Sequence, residues 1–182
     1  MRRPLKEGKH AYVTNYSFFG PGTVSVIDTA TNTVAATVGV GSFPVGVGII
    51  PDIPFSAFSA KLETEVHGAP NEDSFELQSS FTLGSTSNGI NPVIEPVILQ
   101  VGSFATTIPP GSFKGKGSGP FTFQGVIDGA ALKVVITPTA TKRFALEAEA
   151  SDAKLTGTKN PVTVRVSIGN NSGTTSVKAE IE

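Results

Sequence analysis

Between residues 58 and 83 the chain twice alternates apolar and polar side chains, and that two-residue period limits what it can become. Phe58, Ala60, Leu62, Thr64 and Val66 fall on one side of an extended strand, with Lys61, Glu63 and Glu65 opposite. Phe75, Leu77, Ser79, Phe81 and Leu83 alternate in the same way with Glu76, Gln78, Ser80 and Thr82. Successive side chains of a strand point to opposite faces, so such runs bury one face of a sheet and leave the other wet. No segment sustains the 3.6-residue period of an amphipathic helix. Composition points the same way: 20 Thr, 19 Val and 12 Ile make up over a quarter of the 182 residues, against 8 Leu. Gly and Pro together number 33, so turn formers are plentiful. The chain is read as all-β.

Further strands are expected at Val97–Val101, Phe104–Ile108, Phe121–Ile127, Ala130–Thr137, Arg143–Ala150, Val162–Ile168 and Thr174–Ile181. Turn chemistry separates them. Asp128-Gly129 is the two-residue type I′ hairpin signal, and Asn88-Gly89, Pro109-Pro110-Gly111 and Asn170-Asn171-Ser172-Gly173 mark other turns. About nine short strands over residues 53–182 predict an antiparallel β-sandwich. Pro51-Asp52-Ile53-Pro54 is its boundary, because two prolines within four residues oppose helix and central strand alike.

Residues 1–52 read differently. Strands are expected at His10–Thr14, Thr23–Ile27, Thr33–Val38 and Pro44–Ile50, with Asp28 and Asn32 holding the turn between the second and third. The glycines of the fourth suggest close packing against another backbone. "AYVTN" at 11–15, "TVSVIDTATNTVAATVGVG" at 23–41 and "PVGVGIIPD" at 44–52 resemble one repeat of the YVTN family of β-propellers. The resemblance implies a three- to four-stranded propeller-blade-like meander and an extracellular or cell-surface setting. Only one repeat is present, and Glu7-Gly8-Lys9 stands where the family's Asp-Gly-Lys turn would be. Residues 1–52 are therefore read as the last blade of a propeller whose earlier blades are missing, or else as one blade reused as an extra meander. The remainder, with "DSFELQSSFTLG", "TIPPGSF", "FTFQGVIDG" and "NPVTVRVSIGNNSGTT", resembles a tail module of bacterial secreted proteins, a likeness that implies no activity.

The chemistry of individual residues is muted. Zero cysteine excludes disulfides, thiolate metal sites and a cysteine nucleophile. A net charge of −1 gives no electrostatic reason to expect nucleic acid or an anionic membrane. Met1-Arg2-Arg3-Pro4 resembles the charged start of a signal peptide, yet no apolar stretch follows, and no run approaches the roughly 18 apolar residues of a membrane span. Glu63, Glu65, Glu72, Asp73 and Glu76 read as a solvated face, not as carboxyls facing each other across a substrate. His10 and His67 lie in different modules, without metal-ligand spacing. Gly111 to Gly119 has the wrong spacing for a phosphate loop and is read as a flexible hairpin loop. Asp28, Asn32, Asn71, Asp73 and Asn171 offer oxygens for calcium but read better as turn caps. Most of the twelve phenylalanines fall on alternating positions and are core material. Phe18-Phe19 is the exception, either capping the core or forming a small contact patch.

No catalytic site, metal or cofactor is expected. The function predicted is a non-catalytic structural or interaction module of a larger secreted or cell-surface protein, with other domains of that protein or cell-surface components as partners. A carbohydrate- or surface-ligand-binding sandwich is the alternative. An enzyme would need a pocket joining distant residues, such as His67 with a carboxylate. Either residues 9–50 pack onto the sandwich through Val13, Val24, Val26, Val38, Val47 and Ile49, or the meander stays a loosely held appendage that self-associates through its exposed edge. The boundary prolines favour the appendage.

Overall fold

A tight turn sets strand pairing in the first part of the chain. The computed structural model describes residues 10–47, 52–67 and 72–181, and the chain divides into two units, Met1–Ile50 and Pro51–Glu182. In the first, β1 (His10–Asn15), β2 (Pro21–Asp28) and β3 (Thr33–Ser42) form an antiparallel meander in that order. Asp28 Oδ1 accepts the Ala30 N–H at 2.7 Å and the Thr31 N–H at 3.1 Å, and Asn32 takes a left-handed φ of 55°. An Asx turn of this kind fixes the direction of the returning strand.

The expected fourth strand is not there as drawn. Residues 44–47 are outside any strand, and 48–50 lie outside the described residues. Gly46 has open space around it, contrary to the close packing expected of it. The close approach in this unit is at Gly22 instead, where a Cβ would stand 2.5 Å from the Pro44 ring and 2.7 Å from the Asn15 carbonyl oxygen. No hydrophobic side chain among residues 10–47 is buried. Val13, Val38 and Val47 are 44%, 50% and 42% exposed, Val24 and Val26 are half-buried, and Ile49 lies outside the described residues.

The second unit is a β-sandwich with one continuous core. Its strands are β4 (Ile53–Pro54), β5 (Ala57–Glu65), β6 (Asp73–Thr82), β7 (Val97–Val101), β8 (Phe104–Ile108), β9 (Phe121–Ile127), β10 (Ala130–Ala140), β11 (Arg143–Ala153), β12 (Val162–Ile168), β13 (Asn171–Val177) and β14 (Glu180–Ile181). One sheet has the order β14-β5-β6-β11-β10-β9, the other β4-β13-β12-β7-β8. Pairing is antiparallel except where the two short strands join, β4 beside β13 and β14 beside β5. Leu62, Phe75, Leu77, Leu146 and Val134 point inward from the larger sheet. Val97, Leu99, Val164, Val166 and Ile168 meet them from the smaller one. Phe58, Phe81 and Phe144 stand in register across β5, β6 and β11, and Phe55 stacks on Phe81 at 4.4 Å. Every phenylalanine of this unit lies in the core or packs against it.

Turns account for the differences from the expected strands. Asp128 and Gly129 have φ of 53° and 90° between the paired residues Ile127 and Ala130, the two positive values that a type I′ turn requires. The turn expected at Asn170–Gly173 is Gly169-Asn170 instead, because Ile168 already pairs with Asn171 and Gly169 supplies the positive φ of 57°. The single strand expected at 174–181 is broken. At the break, the Asn160 side chain accepts the Ala179 N–H at 2.9 Å and donates to its carbonyl at 2.8 Å, standing in for a partner strand. Lys142, at φ 59° in the turn after β10, donates through Nζ to the carbonyls of Ser85 and Ser87 at 3.1 and 3.0 Å.

The outermost strands β4, β8 and β14 are short, and β9 is bridged at Thr122. The Gly111–Gly119 stretch, expected to be a flexible loop, folds onto β9. Lys114 and Thr122 exchange both backbone hydrogen bonds at 2.8 Å, and Phe113 is buried against Phe123. A Cβ at Gly115 would lie 2.7 Å from the Phe121 ring, so glycine is what lets the flap approach. Core burial predicts the response to truncation. Leu146→Ala, at a fully buried position in β11, should lower unfolding stability by about 2–5 kcal/mol in urea titrations. Val126→Ala, at an exposed site in β9, should change it by less than about 0.5 kcal/mol.

Candidate interaction surfaces

In the first unit three aromatic side chains, Tyr16, Phe18 and Phe43, gather at one end of the meander. Tyr16 meets Phe18 edge-on at 4.8 Å and Phe43 at 5.6 Å. Phe18 is 76% exposed and Phe19 fully exposed, so neither ring caps a core. No charged residue occurs between Ala11 and Ile27. The result is a small, neutral, solvent-facing aromatic cluster.

On the sandwich, the outer face of the six-stranded sheet carries most of the polar chemistry. Register sets Glu63, Glu76, Glu149, Lys133 and Gln124 in one row across five strands. Lys61, Gln78, Glu147, Val135 and Thr122 form the next row. Lys61 pairs with Glu63 at 2.7 Å and Lys133 with Glu149 at 3.0 Å, exposed contacts that contribute little to stability. Three shallow depressions of about 430–460 Å³ lie along this face. Ser74, Glu76, Gln124, Lys133 and Glu149 line one; Ser59, Ser80, Thr82 and Arg143 line another. Phe75, Phe58, Phe81 and Phe144 also border these depressions, but their side chains belong to the core, and no aromatic ring stands on the two outer rows.

The carboxylates singled out in the sequence do not behave alike. Glu63, Glu65 and Glu76 are exposed on this face, and Glu72 is exposed beside it. Asp73 is not solvated: it is fully buried, and its carboxylate accepts the N–H of His67 at 2.9 Å and of Leu155 at 2.7 Å. It ties the start of β6 to the segment leaving β11, where the pairing register shifts between Ala150 and Ala153. The warning sign was its phase, since Asp73 shares the inward side with Phe75 and Leu77.

The oxygen donors considered for calcium are dispersed. Asp28 holds its turn, Asp73 holds two backbone amides, and Asn71 lies outside the described residues. Asn171 is buried, donating to the Gly89 carbonyl and to Asn170 Oδ1 at 3.2 Å each, while its own Oδ1 has no partner. His10 and His67 are both exposed, one in each unit. Among the described residues no group of three or more His, Asp and Glu side chains is placed to hold a metal, and no helix is long and apolar enough to cross a membrane.

What fold and surface define is a two-unit all-β chain, a β-sandwich with a polar outer face and a three-stranded meander. No protein-family model matches the chain, and no curated protein or solved structure is significantly similar to it.

Two measurements check the roles assigned here. Asp73→Ala leaves two amides near the core without their acceptor and should destabilise the sandwich by about 2–4 kcal/mol in chemical denaturation. Hydrogen bonds from Ala30 and then Thr31 hold the Asp28 carboxyl below its ordinary value of 3.8. A carbon-detected NMR titration should therefore place its midpoint below that of a model carboxylate. Its support for the turn is complete above the unfolded pKa and is lost as pH falls through the folded one.

Proposed function

We propose that the chain is a non-catalytic structural and interaction module of a larger secreted or cell-surface protein, made of a YVTN-type propeller blade and a β-sandwich. The observation that carries this reading is the uncovered meander. The residues resembling the repeat at 11–15 and 23–41 lie in and between β1, β2 and β3, and their side chains bury no core of their own. A three-stranded sheet with both faces open needs something to pack on. In a propeller that role falls to neighbouring blades, so such a module fits a larger assembly better than a free enzyme. Immunolabelling of intact source cells tests the setting: an antibody to this chain should label them without permeabilisation. Labelling that requires permeabilisation overturns the extracellular reading.

A second reading rests on the outer face of the larger sheet. Its serine, threonine, glutamine and paired charged side chains line shallow depressions suited to a polyhydroxylated ligand such as a glycan. A glycan array at high protein concentration should give hits that Lys133→Ala and Glu149→Ala abolish. An array at background removes this reading.

A further inference from the structure

The longer free edge of the first unit is unlike any edge of the sandwich. β3 runs ten residues, about 33 Å at the usual rise per residue, and Thr33 to Ser42 contains neither a charge nor a proline. Among the described residues nothing pairs with its outer side, and its side chains are exposed almost throughout. In the sandwich β4 and β14 are two residues each, β4 carries Pro54, β8 has five residues, and β9 is bridged by Lys114 at Thr122. β5, paired with β14 only at Glu63 and Thr64, carries the charges of Lys61, Glu63 and Glu65. Short strands, proline and covering loops are how sheets avoid pairing with other chains. Among the described residues β3 has none of these three, although its pairing with β2 shifts register twice, at Ala35 and between Gly39 and Ser42, which leaves Ala36–Gly39 as its regular stretch.

We propose that β3 is a self-association edge, pairing antiparallel with β3 of a second copy to join two meanders into one six-stranded sheet. This rests on the reading of the first unit as an uncovered interaction module and names its partner. Charge favours a second copy. A self-pair centred on Thr37, within the regular stretch Ala36–Gly39, sets Thr37 opposite Thr37 and Ala36 opposite Val38, so no like charges meet. Symmetry favours a self-pair: β3 on β3 closes at two copies, whereas β1 on β3 is head-to-tail and propagates. β1 is also shorter, at six residues, and begins with His10.

The test uses the full chain and charge exchange at Thr37, an exposed position. Sedimentation velocity from micromolar to hundreds of micromolar should show a monomer–dimer equilibrium. Amide exchange at residues 33–42 should slow as the dimer fills. Thr37→Lys and Thr37→Glu each place like charges opposite one another and should weaken the dimer about tenfold, while an equal mixture of the two variants associates again. Restored association in the mixture shows that both variants fold. A chain that stays monomeric throughout overturns the proposal, as does a dimer whose exchange at 33–42 is unchanged. A dimer indifferent to both substitutions and protected elsewhere also removes β3, while leaving the interaction-module reading in place.

Discussion

A β-sheet with an apolar face has to cover it, and the two units of this chain stand on opposite sides of that requirement. In the sandwich, inward side chains of the six-stranded sheet meet those of the five-stranded sheet, and both inner faces disappear from water together. Leu77, Leu146, Val166 and Ile168 are almost wholly buried for that reason. The meander has one layer only. Val24 and Val26 are half-buried, and Val34 and Val38 remain open to solvent. Burial of apolar area is the main term favouring folded over unfolded chain, so the sandwich is the unit that supplies the stability.

The polar side chains at the strand ends of the sandwich are arranged around the same constraint. Asp73 is buried but spends both carboxylate oxygens on backbone amides, and Asn160 imitates a peptide group where β13 ends. Lys142 spreads its ammonium over carbonyls of the loop after β6. Each lies where a strand stops or shifts register, the places where ladder hydrogen bonds run out. Side chains complete the pairing that the sheets leave unfinished.

Much of the strand layout was legible because alternation and turn chemistry are local. Phe75 to Leu83 declares its two faces residue by residue, and Asp128-Gly129 declares its turn without reference to the rest of the chain. Polar contacts between distant segments were not legible. Asp73 reads as one more acid in an acidic stretch unless its phase with Phe75 is followed, and the amide it holds at Leu155 lies 82 residues away. Asn171 looks like a turn residue beside Asn170 and Gly173, yet it opens a strand, since Gly169 had already made the turn. Of the candidate surfaces, the neutral stretch around Phe18 and Phe19 was visible in the sequence. The five-strand row from Glu63 to Gln124 was not, because it exists only once strands distant in sequence are set side by side.

The seams of the sandwich also determine how it can be assembled. β6 lies against β11 and β7 against β12, so the centre of each sheet is a junction between segments more than sixty residues apart. β9, β10 and β11 are linked by two-residue turns and can zip up in succession, as hairpins do within microseconds. Neither sheet has a middle until the chain has closed loops that long, and an entropy loss on that scale is met before any core contact repays it. On topology alone, the slow step expected of this fold is the meeting of β6 with β11 and β7 with β12, much less the closing of the turns that make its sequence so readable.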